Sequence, residues 1–191
     1  MEDLQLWQRL KAGDQAALEE IYRTHVDVLY RYGCKFSVDE ALVKDAIQDL
    51  FIELWRNHAG LGDTNSIKKY LLASIRRKII KQIEKKKKWF LPDRMENTVF
   101  ELEVSIEEVL ISTEISKENA DLVKDAVNGL SKRQKEAIYL KYYMDMDYEE
   151  IEEIMDINYQ SLRNLVSRAL QNMRAQIGSL LVLFFLKIFI E

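Results

Sequence analysis

Pro92 is the only proline in a chain of 191 residues, and this scarcity of helix breakers restricts the possible folds more than any other feature. With only six glycines besides, the chain has little of the turn chemistry that many strands would need, while its frequent Leu, Ile, Glu and Lys favour helix. No segment alternates apolar and polar residues convincingly, so an all-α fold is expected. A proline lacks a backbone donor and crowds the preceding turn, so Pro92 should end whatever helix reaches it. Acidic residues gather on its far side: Asp93, Glu96, Glu101, Glu103, Glu107, Glu108 and Glu114. The expectation is two small helical domains, 1–90 and 116–177, joined by an acidic linker over 91–115 and followed by an apolar tail over 178–191. The linker also holds Phe100, Leu102, Val104, Ile106, Val109, Leu110 and Ile111, too many apolar residues for a fully solvated coil. It should lie against a partner or form a short helix.

The clearest local pattern runs from Tyr148 to Met173. Ile151 and Met155 give one helix a buried stripe, Ile157 fills a bend, and Leu162, Leu165 and Val166 turn a second helix inward. Asp147 with Glu150, and Asn158 with Ser161, put oxygen acceptors before each helix start, where backbone N–H groups lack partners. The second helix of this helix-turn-helix presents Tyr159, Gln160, Arg163, Asn164, Ser167 and Arg168 outward, side chains suited to base edges and phosphates. Two ordinary core helices produce the same spacing, so the pattern alone leaves both readings open. Glu152 stands where a small residue usually lets such helices approach, and Asp156 where the turn usually has glycine. Aspartate tolerates left-handed backbone better than most residues.

Before Pro92 the chain reads as a short helix, a break at Gly13, and a longer helix capped by Asp14 with Leu18, Ile21, His25, Val28, Leu29 and Tyr32 along one face. Cys34, the single cysteine, is expected to be a small core residue. Asp39 can cap the next element. In the helix Asp45 to Trp55, the residues Ile47, Leu50, Phe51, Leu54 and Trp55 form the apolar side, opposite Asp45, Gln48, Asp49, Glu53 and Arg56. That polar side is either solvated or a docking face. A glycine-bearing loop, Asn57 to Ser66, leads into a helix whose stripe is Ile67, Leu71, Ile75, Ile79 and Ile83. Lys69, Arg76, Arg77 and Lys81 are expected outside the stripe, with Lys85 to Lys88, Trp89 and Phe90 following. The overall balance of 28 basic and 32 acidic residues argues against a generic nucleic-acid coat. A basic helix face in an acidic chain is nevertheless a footprint for a polyanion, nucleic acid before anionic lipid.

Beyond the linker, Leu122, Val123, Ala126, Val127 and Leu130 mark one helix, and Ser131 with Gln134 is a capping box for the next, which carries Ala137, Ile138, Leu140 and Tyr142. In the tail, Leu180 to Ile190 holds one charge, Lys187; as a helix it would span about 17 Å against a hydrocarbon core of about 30 Å, so no transmembrane span is expected. Such a segment has to be covered by protein, a second copy or a membrane surface. Cys34, His25 and His58 are too scattered for a metal site, and no paired-carboxylate, nucleophile-base or phosphate-loop pattern occurs. Neither metal, cofactor nor enzymatic activity is expected. The opening has no charged-then-apolar leader, which points to the cytoplasm.

Taken together, GDQAALEEIYRTHVDVLY, DAIQDLFIELW, YLLASIRRKI, LSKRQKEAIYLKYY and YEEIEEIMDINYQSLRNLVSRALQNMR resemble, in order and spacing, the extracytoplasmic-function group of bacterial sigma-70 factors, the promoter-recognition subunits of RNA polymerase. The resemblance implies that Asp45, Gln48, Asp49, Phe51, Glu53 and Trp55 bind core polymerase, through a coiled coil of its largest (beta-prime) subunit, with the beta subunit as a further partner. It implies that Asn57, Asn65, Lys68, Lys69, Tyr70, Arg76, Arg77 and Lys81 hold melted promoter DNA and a flipped non-template base. Here Arg77 replaces a frequent asparagine and Lys81 a frequent aspartate. The helix-turn-helix, through Tyr159, Gln160, Arg163, Asn164, Ser167 and Arg168, would read the upstream element as duplex. The linker would thread toward the RNA exit path; that its carboxylates Glu101, Glu103, Glu107 and Glu108 mimic RNA phosphates there is an expectation from their charge and not from the resemblance. An anti-sigma factor is a further implied partner. Independently of the resemblance, Glu149, Glu150, Glu152 and Glu153 crowd the first helix of the helix-turn-helix with negative charge, so weak duplex binding is expected, with polymerase or another DNA-bound protein needed for placement. Two other classes fit the residues: a stand-alone helix-turn-helix regulator, and a membrane-surface adaptor using Lys85 to Lys88 and the tail.

Overall fold

The computed structural model describes residues 2–90, 100–102 and 117–188. All regular elements among them are helical, and the chain divides into two compact units, Met1–Thr98 and Val99–Glu191.

The first unit contains α1 (Glu2–Lys11), α2 (Gln15–Cys34), α3 (Glu40–Arg56) and α4 (Ile67–Phe90), with a 3-10 turn at His58–Gly60. The starts of α2 and α3 are set by oxygen acceptors. Asp14 Oδ1 accepts from the Ala16 N–H at 2.9 Å, and Asp39 Oδ1 from the Leu42 N–H at 3.1 Å. Gly13, at φ 86°, turns the chain out of α1 in the left-handed region that glycine enters freely. Helices α2, α3 and α4 pack on one another around Ile21, Leu29, Tyr32, Val43, Ile47, Leu50, Leu71, Ile75 and Ile79, while Trp7 and Leu10 carry α1 into the same core. Gly33 permits the closest approach: a Cβ there would lie 2.6 Å from Val43 Cγ1 and 3.0 Å from Ile79 Cδ1. Cys34, the last residue of α2, lies beside the buried stripe of Leu29, Tyr32 and Gly33; it is only partly buried and is not the core residue expected.

The second unit contains α5 (Lys117–Asn128), α6 (Lys132–Ile138) running into a π-helical segment (Tyr139–Tyr143), α7 (Tyr148–Met155) and α8 (Tyr159–Ile188). Ser131 Oγ accepts from the Gln134 N–H while Gln134 Oε1 accepts from the Ser131 N–H, the expected reciprocal cap. Val123, Ala126, Val127, Leu130, Ala137, Ile138, Leu140, Ile151, Ile154, Leu162, Val166, Ala169 and Met173 form the core. Leu122, expected with them, is exposed because α5 buries one stripe against α8 and Leu122 lies to its side. Phe100 and Leu102 also belong to this core: Phe100 sets its ring edge-on to Tyr139, with centroids 5.7 Å apart, and Glu101 pairs with Lys135 Nζ at 3.2 Å. This part of the segment expected as a linker therefore packs on the second unit. The other linker carboxylates, Asp93, Glu96, Glu103, Glu107, Glu108 and Glu114, fall outside the described residues. Gly178, at φ 75° and ψ 163°, interrupts α8 where the apolar tail begins, and Val182 beyond it is buried. No helix among the described residues is long and apolar enough to cross a membrane.

Candidate functional site

Three surfaces gather the candidate residues, two on the first unit and one on the second. On α3, Asp45, Gln48, Asp49, Glu53 and Arg56 all face outward, as amphipathic spacing requires. Phe51 does not join them. It is 7% exposed, packs edge-on against Tyr22 at 4.9 Å, and contributes to an apolar groove between α2 and α3 with Val26, Ile47, Ile52 and Trp55. A residue two positions from Asp49 and two from Glu53 lies on the opposite side of a helix. Trp55 is half-buried and stacks at 5.3 Å on His58.

The second surface is a cleft of about 550 Å³ between the end of α3, the loop after it and α4, lined by Asn57, Leu61, Tyr70, Ser74, Arg77, Lys78 and Lys81 among others. Its α4 wall repeats at intervals of three and four, giving one face with an aromatic ring, a hydroxyl and three cations. Glu53 reaches across to Lys78 Nζ at 2.5 Å, linking the polar side of α3 to this basic wall. Lys78 and Ser74 were not candidates from sequence, although Lys78 stands four residues beyond Ser74 and one beyond Arg77.

Lys69 and Arg76, expected outside the α4 stripe, are 9% and 8% exposed. The reason is geometric. Helix α4 packs against both α2 and α3, so two stripes are covered: Ile67, Leu71, Ile75 and Ile79, and beside them Lys69, Leu72, Ala73 and Arg76. Long basic side chains tolerate this by burying their methylenes and keeping their heads partnered; Lys69 Nζ donates to Asn65 Oδ1 at 3.1 Å. Lys68 is partly exposed; Arg77 and Lys81 are exposed.

The loop is held from a distance. Trp7 Nε1 donates to the Gly62 carbonyl at 2.9 Å, Gln8 Nε2 and Lys11 Nζ donate to Asp63 Oδ1 at 3.0 and 2.6 Å, and His58 Nδ1 lies 3.1 Å from the Lys11 carbonyl. The hydrogen bonds from Lys11 and Gln8 hold the Asp63 carboxyl below the usual aspartate range. Asp3 Oδ2 accepts the Ile67 N–H at 2.9 Å and so caps α4 from α1. No motif search would have flagged α1 as part of this site.

The third surface is the exposed face of α8, where Tyr159, Gln160, Arg163, Asn164, Ser167 and Arg168 all point to solvent. Leu162 and Val166 anchor the helix beneath them, and the turn before it closes through Asp156 at φ 52° and ψ 57°, as its tolerance for left-handed backbone allows. Asn158 Oδ1 accepts from the Ser161 N–H at 2.8 Å. Arg163 lies 5.8 Å from the Tyr159 ring, which stands edge-on to Tyr148 at 5.8 Å, and Gln160 donates to Asn164. Among the described residues no cluster of three metal-binding side chains occurs.

Known families match the same two regions. A model of sigma-70 region 2 matches residues 21–89, across α2, α3, the loop and nearly all of α4. A model of sigma-70 region 4 matches residues 120–173, the helix-turn-helix and the helices before it. The chain belongs to the sigma-70 family. It is similar to the ECF RNA polymerase sigma factor SigM of Bacillus subtilis (strain 168), at 24% identity over 159 residues that cover 83% of this chain and 93% of the relative. In fold it is similar to the sigma factor RpoE of Bartonella quintana, solved in complex with the anti-sigma factor NepR, with a TM-score of 0.58, 18% identity, and coverage of 83% of this chain and 94% of that one. CnrH, solved in complex with the cytosolic domain of CnrY, gives a TM-score of 0.59 and 16% identity over 91% of this chain and 95% of that one. This sigma factor is of the extracytoplasmic-function type: it directs core RNA polymerase to specific promoters and assists promoter melting.

Proposed function

We propose a division of that work among the three surfaces. The outer face of α3, with Asp45, Gln48, Asp49 and Glu53, docks on the beta-prime subunit of core polymerase, with Trp55 and the α2–α3 groove at its border. The cleft beside the 57–66 loop receives a flipped base of the melted non-template strand, and Arg77, Lys78 and Lys81 neutralise the phosphates on either side. The α8 face reads the upstream element in the major groove of duplex DNA. The observation that carries this reading is the α4 wall, where one aromatic ring and three cations share a concave face next to a glycine-bearing loop. A melted strand needs that combination, because stacking holds the base while charge holds the backbone.

Reading by the second unit is weak without polymerase, because Glu149 and Glu153 stand exposed on the helix preceding the reader. Polymerase, or another DNA-bound protein, supplies the missing placement, and an anti-sigma factor covers these surfaces when the factor is held inactive. The protein works in the cytoplasm and leaves all bond chemistry to polymerase.

Run-off transcription with core polymerase over a pool of genomic fragments tests the reading. Specific transcripts sharing an upstream motif are expected, and Lys81→Ala should reduce the salt slope of open-complex formation by about one unit. A footprint on duplex DNA equally strong without polymerase would favour the stand-alone regulator instead.

A further inference from the structure

We infer that Trp7 is a positioning residue of the strand-capture cleft, holding both of its walls from behind. Trp7 is fully buried, so it touches no nucleic acid itself. Its indole hydrogen bond and its ring contact with Tyr70 go to opposite sides of the cleft. The indole N–H donates to the Gly62 carbonyl at 2.9 Å, beside Leu61 on the loop wall, and the ring lies 4.8 Å from Tyr70 on the α4 wall at a tilt of 58°. One rigid side chain therefore fixes the separation between the loop and the aromatic residue that faces it.

Between the 3-10 turn at His58–Gly60 and the hydrogen bonds joining Thr64 to Ser66, the middle of the loop has little means of fixing its own shape. Gly60 and Gly62 have no side chains, and a Cβ at either would meet nothing within 4 Å. Each such residue left free in the unbound protein would have to be ordered on binding DNA, at an entropic cost that a preformed cleft avoids. The shape is borrowed from α1 instead: Trp7 holds Gly62, Gln8 and Lys11 hold Asp63, and Asp3 fixes the first turn of α4. Helix α1 lies outside the matched region 2, which begins at residue 21, so this clasp is built from a part of the chain the family match does not cover.

The inference rests on reading the cleft as the strand-capture site, and its test separates the two. Trp7→Phe keeps an aromatic ring against Tyr70 and removes only the donor to Gly62; Asp63→Ala removes the second tie at an exposed position. Both are made in the full-length chain and assembled with core polymerase on a promoter recovered from the run-off pool, with 2-aminopurine at the upstream edge of the bubble. Amide hydrogen exchange over residues 57–66 is followed in parallel on the free protein. For Trp7→Phe, faster exchange in the loop and a two- to tenfold lower open-complex constant are expected, roughly the range one hydrogen bond spans, with polymerase affinity unchanged. Asp63→Ala should act in the same direction and less strongly. Unchanged loop exchange overturns the inference, as does a loosened loop with full promoter opening, or an equal loss of polymerase affinity. If the wild-type holoenzyme opens no promoter, the strand-capture reading fails instead, while loop exchange still decides whether Trp7 is the clasp.

Discussion

The cleft of the first unit and the helix-turn-helix of the second are held together over very different distances along the chain. Around the cleft, Trp7 reaches Gly62, Lys11 reaches Asp63 and Asp3 reaches Ile67, across 55, 52 and 64 residues. In the helix-turn-helix the hydrogen-bonded ties are local: Asp147 with Glu150 and Asn158 with Ser161 are three apart, and Gln160 with Asn164 four. Local ties form as soon as a helix forms, whereas distant ones exist only once the whole unit has packed. The first unit should therefore respond to damage anywhere in its core, and the second to damage at particular caps.

That contrast can be broken most forcefully at Leu71, which is fully buried where α4 meets its neighbours. Leu71→Ala should cost about 2–5 kcal/mol in urea unfolding and weaken the cleft with it. Gly33→Ala comes next. Its new methyl would press on Val43 and Ile79, for about 1–3 kcal/mol of overpacking, partly offset by about 1 kcal/mol of helix propensity. A gain in stability would show that the helices are not in close contact there. In the second unit, Ser131→Ala should cost about 1 kcal/mol by thermal melting, with no effect on loop exchange over residues 57–66. The smallest effect concerns acid sensitivity. Burial pushes the His25 pKa below its ordinary 6.5, against the pull of Asp3, so the unfolded chain takes up the proton more readily. The stability this group contributes is complete above pH 6.5 and is lost as pH falls through the lower folded value. His25→Gln should flatten that part of the stability curve between about pH 7 and 5, measured by urea midpoints at each pH.

Which residues could be assigned in advance follows the same division. The helix-turn-helix was legible down to its caps and its outward face because every determinant lies within a few residues of its partner. On α4 the basic residues were legible as a group but not individually: Lys69 and Arg76 follow the same sequence pattern as Arg77 and Lys81, and only packing against two neighbouring helices buries the first pair. Phe51 shows the reverse case, since the apolar side of α3 was readable and its family role alone suggested a surface. Phe100 and Leu102 had too much apolar area to stay in water, yet nothing nearby in sequence indicated Tyr139 as the partner.

The sequence by itself determined the all-helical class, the caps that start most of the helices, and the face that α8 presents. These depend on propensity, periodicity and hydrogen bonds spanning a single turn. The tertiary structure alone decided which cations of α4 remain exposed, that Phe100 and Leu102 pack in the second unit, and that α1 shapes the loop. Those outcomes depend on which surfaces come together, and a side chain's burial is a property of its neighbours in space.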